Sequence, residues 1–188
     1  MKILAIATAS AALTVSAVAW AAASNIPAMH AYGHCAAQRA PKDVTYLLDQ
    51  DYRAGGYNNG LKALAKKTAG CPGASAGGGV FAGILAEELL EYGHTPKQVA
   101  TMIGKAPKKP IGSSDVAAAA VCAVRANPGG VAQLLASGYS AKDEAAALKG
   151  LTPALNGCLK GQKLNAGGTE LRAMLALAAF RNFRAAGG

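Results

Sequence analysis

Four groups of side chains in this sequence have the type and spacing to do chemistry. Gly73-Ala-Ser75-Ala-Gly77 fits the G-x-S-x-G pattern, in which a serine nucleophile stands on a sharp turn between strand and helix, and His94 lies downstream as a base. His30 and His34 are four residues apart, so on a helix they share one face and can clamp a transition metal. Glu87, Glu88 and Glu91 gather three carboxylates, the raw material of general acid and base work. Cys35, Cys71, Cys122 and Cys158 could form disulfides, a thiolate zinc site or a redox dithiol.

Each group needs neighbours that the sequence supplies only in part. Cys71-Pro72 precedes the serine motif where a strand is required, and in a Gly- and Ala-rich chain the match is easily met, so Ser75 reads as a loop residue. A hydrolase using Ser75 and His94 is the alternative reading of the chain. No carboxylate sits beside His30 and His34, which reads them as an exposed pair rather than a metal site. On 100° steps the three glutamates share an arc with Ile84 alone, while Phe81, Ala82, Leu85, Ala86, Leu89, Leu90 and Tyr92 take the other side; the glutamates are expected on a solvated or ion-paired face. The cysteines have no close pair, which argues against zinc, a redox Cys-x-x-Cys and haem attachment. Gly77-Gly78-Gly79 lacks the Lys-Ser/Thr of a phosphate loop. No catalytic, cofactor-binding or metal-ligating residue is therefore assigned, and no cofactor is expected.

The elements that would position these groups begin after residue 23. Lys2 gives a short positive start, Ile3 to Trp20 is apolar apart from small hydroxyl residues, and Ala21-Ala22-Ala23 before Ser24 has the small-residue pattern of a cleavage site. Residues 1–23 are expected to be a signal peptide, with the mature chain starting at Ser24 in the periplasm or outside the cell. Removing them leaves 188 − 23 = 165 residues and, with Lys2 gone, takes the formal charge from +9 to +8. With 52% hydrophobic residues and 15% charged, the chain is too apolar to be disordered.

The remainder is one unit written twice. Placing Cys35 on Cys122 sets an offset of 87, which also carries Pro41 to Pro128, Val44 to Val131, Leu47-Leu48 to Leu134-Leu135, Tyr52 to Tyr139 and Gly70-Cys71 to Gly157-Cys158. Of the 41 positions from 31 to 71, 14 are identical in the second copy, more than alanine content alone explains. Residues 24–104 form the first unit and 113–188 the second, joined by a Lys/Pro linker at 105–112.

Apolar residues recur at three and four rather than at two, so the expected fold is all-α, with about four helices in each tandem unit. The first helix of each unit stops before Pro41 or Pro128, and the proline opens the next. The third runs to Cys71 or Cys158; in the second copy Ser140 is its N-cap, Asp143 follows at the third position, and Thr152-Pro153 should kink or restart it. The fourth follows a glycine run. Thr95-Pro96-Lys97-Gln98 predicts a short extra helix before the linker. Leu171 to Phe183 is apolar nearly all round, which places it at the centre of the fold or on a surface that pairs with a partner, such as a homodimer through the last helix. The two fourth helices are expected to pack together, with Glu91 facing Arg181.

The common cysteine spacing of 36 and the duplication select Cys35–Cys71 and Cys122–Cys158, one disulfide for each unit. The positive charge is unfocused: Lys105, Lys108 and Lys109 form one cluster, Arg172, Arg181 and Arg184 another, and no aromatics interleave with them to stack bases. Nucleic acid is not expected as a partner. The partner is left unknown, with an envelope protein or an anionic envelope surface as the candidates. The unit Cys-x5-Pro, Leu-Leu, Gly-Cys, carried by Cys35, Pro41, Cys71 and by Cys122, Pro128, Cys158, resembles an uncharacterised family of small exported bacterial helical proteins. That resemblance implies export and disulfides and attaches no activity. The function expected is that of an exported, non-enzymatic helical binding or envelope-associated protein.

Overall fold

A computed structural model describes residues 25–73, 75–107, 115–139, 141–159 and 166–188. The expected signal peptide, most of the linker and the expected N-cap Ser140 lie outside the described residues. Those described form nine helices and no strand: α1 Ile26–Arg39, α2 Pro41–Leu48, α3 Gly55–Lys67, α4 Gly78–Glu91, α5 Pro96–Gly104, α6 Asp115–Ala126, α7 Pro128–Ala136, α8 Ala141–Leu159 and α9 Gly168–Ala185. Helices α1–α4 correspond to α6–α9, and α5 is the extra helix.

The punctuation works as the proline and cap chemistry requires. Ala40, pressed by Pro41, leaves the helical region at φ −141°, ψ 52°, and Pro41 opens α2 where its missing N–H is no loss. Asn127 repeats the turn before Pro128 and accepts a bond from the Gly130 N–H at 2.9 Å. At α5 the Thr95 hydroxyl accepts from the Gln98 N–H, and the Gln98 side chain accepts from the Thr95 N–H at 2.7 Å, a complete capping box.

Both disulfides have the expected pairing. Cys35–Cys71 joins α1 to the turn after α3, and Cys122–Cys158 joins α6 to the end of α8. Beside the first bridge, the Tyr32 hydroxyl donates to Thr68 Oγ1 at 2.7 Å, and Gly70 reverses the chain at φ +86°. The third helices are unequal, for α3 stops at Lys67 and rests chiefly on α2, whereas α8 continues past Cys158 and packs on both α6 and α7.

Pro153 does not restart α8, contrary to that part of the sequence expectation; the helix is continuous from Ala141 to Leu159. The proline lies on the exposed side, where water can serve the Lys149 carbonyl that its missing N–H leaves free. Leu151 and Leu155, buried on either side of it, hold the helix to the core.

The centre of the fold is the crossing of α4 and α9. Phe81, Leu85, Leu90, Leu175 and Phe180 are buried there, and α1 and α2 flank α4 as α6 and α7 flank α9. The apolar Leu171–Phe183 stretch thus takes the central place offered by its composition, and its face is covered within the chain. Helix α5, continuous in sequence with the first unit, packs mainly on α7 of the second and clasps the two together.

Candidate functional site

The acidic arc of α4 is inside the protein. Glu87 is 1% exposed and Glu88 4%, which corrects the solvated half of the expectation and leaves the ion-paired one; of the three, Glu91 alone is exposed. Two close helix approaches bury them. A Cβ on Gly33 of α1 would meet Glu88 Cγ at 3.2 Å, and one on Gly83 of α4 would meet Ala173 of α9 at 2.4 Å. Adjacent on α4, the two glutamates diverge by about 100°. Glu88 consequently faces α1 while Glu87 faces α9.

Glu88 is a hub. Its Oε1 accepts from His30 Nδ1 at 2.8 Å and from the Tyr139 hydroxyl at 2.8 Å, and its Oε2 accepts from His34 Nδ1 at 3.1 Å. Burial pushes this carboxyl up, but the bonds from His30, Tyr139 and His34 outweigh it and hold Glu88 below its ordinary value. The Tyr139 ring stacks on His30 with centroids 3.5 Å apart, and the Arg172 guanidinium lies 5.1 Å from its centroid. Burial, then the charges of Glu88 and Glu87, push the Tyr139 hydroxyl up.

Glu87 pairs with Arg172, itself 3% exposed. Arg172 Nε donates to both carboxylate oxygens at 3.2 and 3.0 Å, and Nη2 adds a bond to the same carboxylate. Nη2 also reaches the Leu135 and Ser137 carbonyls at 2.9 and 2.8 Å, closing the end of α7. Burial pushes Glu87 up and the guanidinium pulls it down; on Arg172 the carboxylate outweighs burial and raises the pKa. A guanidinium does not release its proton, and the forked bonding presents donors to every carboxylate lone pair on that side, so the pair is ionised. The sequence expectation that Glu91 faces Arg181 is replaced by this pair. Arg181 instead lies near Asp49, Asp51 and Tyr52, where burial lowers its pKa.

The histidine pair is divided. His30 is buried at 5% exposure whereas the His34 side chain is mostly in solvent, so the expected exposed pair holds for one member only. Glu88, 58 residues from His30, is the carboxylate that local sequence lacked. Among the described residues, no group of three or more His, Cys, Asp or Glu side chains is placed to hold a metal ion. Ser75 is exposed in the coil before α4 with no strand ahead of it, and His94 packs edge-on against Phe183 at 4.9 Å.

Two hollows lie between the units. One, of about 190 Å³, is walled by His30, Glu87, Tyr139, Glu144 and Arg172 above a floor that includes Ile84 and Ala173. The other, of about 240 Å³, is an apolar groove of Leu90, Val99, Ala132 and Leu135, with Glu91 and His94 at its rim. Sequence reasoning passed over Tyr139, Glu144 and Arg172 as site residues. The recurrence of Tyr52 as Tyr139 was the one available signal, and it marked the repeat rather than the site.

No protein-family model, no curated protein and no solved structure matches this chain. Among the described residues no helix is long and apolar enough to cross a membrane. The two disulfides suit a non-reducing compartment.

Proposed function

We propose that this chain is exported by cleavage after Ala23 and works in the periplasm or outside the cell as a non-enzymatic helical binding protein of the envelope. The observation that carries the reading is the internal engagement of the buried polar groups. Glu88 receives three donors, and Arg172 is tied to Glu87 and to backbone carbonyls, so neither presents a free acid or a free cation to a substrate. What remains is a duplicated scaffold, stapled twice, with hollows at the junction of its units. The runner-up, a hydrolase on Ser75 and His94, has neither the strand-to-helix turn nor a placed base in its support.

Native mass spectrometry of the oxidised mature protein mixed with extract of its own envelope tests the proposal. A retained, chemically unaltered ligand or protein partner is the expected result. Turnover of an ester or amide panel that disappears in Ser75→Ala would replace the binding reading with the enzymatic one.

A further inference from the structure

The polar hollow between the units is acidic, although the chain as a whole carries +9. Arg172 neutralises Glu87, and Glu88 stands behind His30 with its own charge. Glu144, on the wall supplied by α8, makes no hydrogen bond among the described residues; its Oε1 lies over Gly168, 2.5 Å from where a Cβ would stand. His30 supplies a second open position. With Nδ1 bonded to Glu88, its Nε2 meets no protein group among the described residues, and in the neutral ring that nitrogen is an acceptor. The only guanidinium on the wall is engaged by Glu87 and the carbonyls of Leu135 and Ser137, and the Tyr139 hydroxyl donates to Glu88. The hollow therefore offers acceptors and negative charge, and its charged and aromatic donors are already taken.

We propose that this hollow binds a small organic ammonium, a primary amine with a short aliphatic body. Its N–H groups are received by Glu144 and by His30 Nε2, and its methylenes lie on Ile26, Pro27, Ile84 and Ala173. At ~30 Å³ for each water-sized group, about 190 Å³ admits roughly six such groups, an ammonium head and four or five carbons. The inference rests on the binding-protein reading and gives it a ligand class. An anion of the same size would face the charge of Glu144 with the Thr169 hydroxyl as its one open side-chain donor among the described lining residues, and burying a charge so weakly met is unfavourable.

The test uses the full mature protein with both disulfides formed, and n-butylammonium chloride, sodium butyrate and n-butanol as probes. Calorimetry reads affinity, and nitrogen-detected imidazole spectra read His30 Nε2. Butylammonium is expected to bind at least tenfold more tightly than butyrate or butanol and to shift the His30 Nε2 resonance, and Glu144→Gln to weaken it at least tenfold. The selectivity and the His30 signal are measured on the unaltered chain, so a Glu144→Gln protein that failed to fold would not stop the test. Equal binding of butyrate, an unmoved Nε2 resonance at saturation, or no binding at about 10 mM butylammonium, beyond the millimolar range of a ligand this small, would overturn the proposal. If butylammonium fails while another ligand from envelope extract is retained, the ammonium assignment falls alone; if both fail, the binding-protein reading falls with it.

Discussion

Gly83 of α4 and Ala173 of α9 are equivalent residues of the two repeats, and they touch. The fourth helices align at an offset of 90, the repeat offset of 87 plus a three-residue gap, which carries residue 83 onto 173. The two units therefore meet much as two copies meet across a two-fold axis, like position against like. A Cβ at residue 83 would lie 2.4 Å from the Cα, Cβ and carbonyl oxygen of Ala173. Backbone cannot retreat as a side-chain tip does, so Gly83→Ala is expected to lower unfolding free energy by about 3 kcal/mol. Urea titration checks this, and a loss below about 0.5 kcal/mol would show that the crossing yields. Ala173→Gly in the same chain should restore part of the loss.

Arg172 and Glu87 stabilise as a pair and harm singly. Arg172→Met would leave a buried carboxylate without its cation and the carbonyls at the end of α7 without their donor, an expected cost of about 3–5 kcal/mol. Removing both charges as Glu87→Met with Arg172→Met should cost far less than the two single losses added. A double-mutant cycle in urea measures the difference. Strict additivity would mean that the two side chains do not interact.

This pair also shows how far the sequence reaches. Pro41, Pro128, the Thr95–Gln98 box, the cysteine spacing and the repeat are local or periodic signals, and each appears in the structure where it was read. Glu87 and Glu88 were legible only as charges on an amphipathic arc, because their partners lie 85 residues ahead at Arg172 and 58 behind at His30. The missing information was the close approach of α4 to α1 and α9, set by Gly33 and Gly83, since a glycine on a helical wheel does not announce what it lets near. Pro153 misled for the opposite reason: a strong local signal was overridden by the burial of Leu151 and Leu155 around it.

The two disulfides should matter unequally for local order. Each closes a loop of about 37 residues, worth roughly 4 kcal/mol in the chain-entropy account. Helix α3 has little besides α2 to hold it, whereas α8 is also packed against α6. Replacing Cys35 and Cys71 by serine should therefore release the α3 amides to fast hydrogen exchange while α4 and α9 stay protected. The same exchange at Cys122 and Cys158 should lower global stability without selectively freeing α8. Equal local release in both would show that packing on α6 contributes nothing.

Acid should act through Glu88. Its carboxyl is held below its ordinary value of 4.5 in the folded chain, so its contribution is present above that value and is lost as pH falls through the folded one. Glu87 has the opposite sign, since burial raises it and protonation relieves part of its cost. The acid loss in stability between about pH 5 and 3 should therefore carry the mark of Glu88 in particular. Glu88→Gln keeps the shape but gives the His30, His34 and Tyr139 donors a weaker, uncharged acceptor, and one of its own positions becomes a donor facing them. The variant is expected to lose about 2 kcal/mol at pH 7 and to show a shallower decline below pH 5. Urea midpoints measured across that range decide the matter, because an unchanged acid slope in Glu88→Gln would assign the titration to another group.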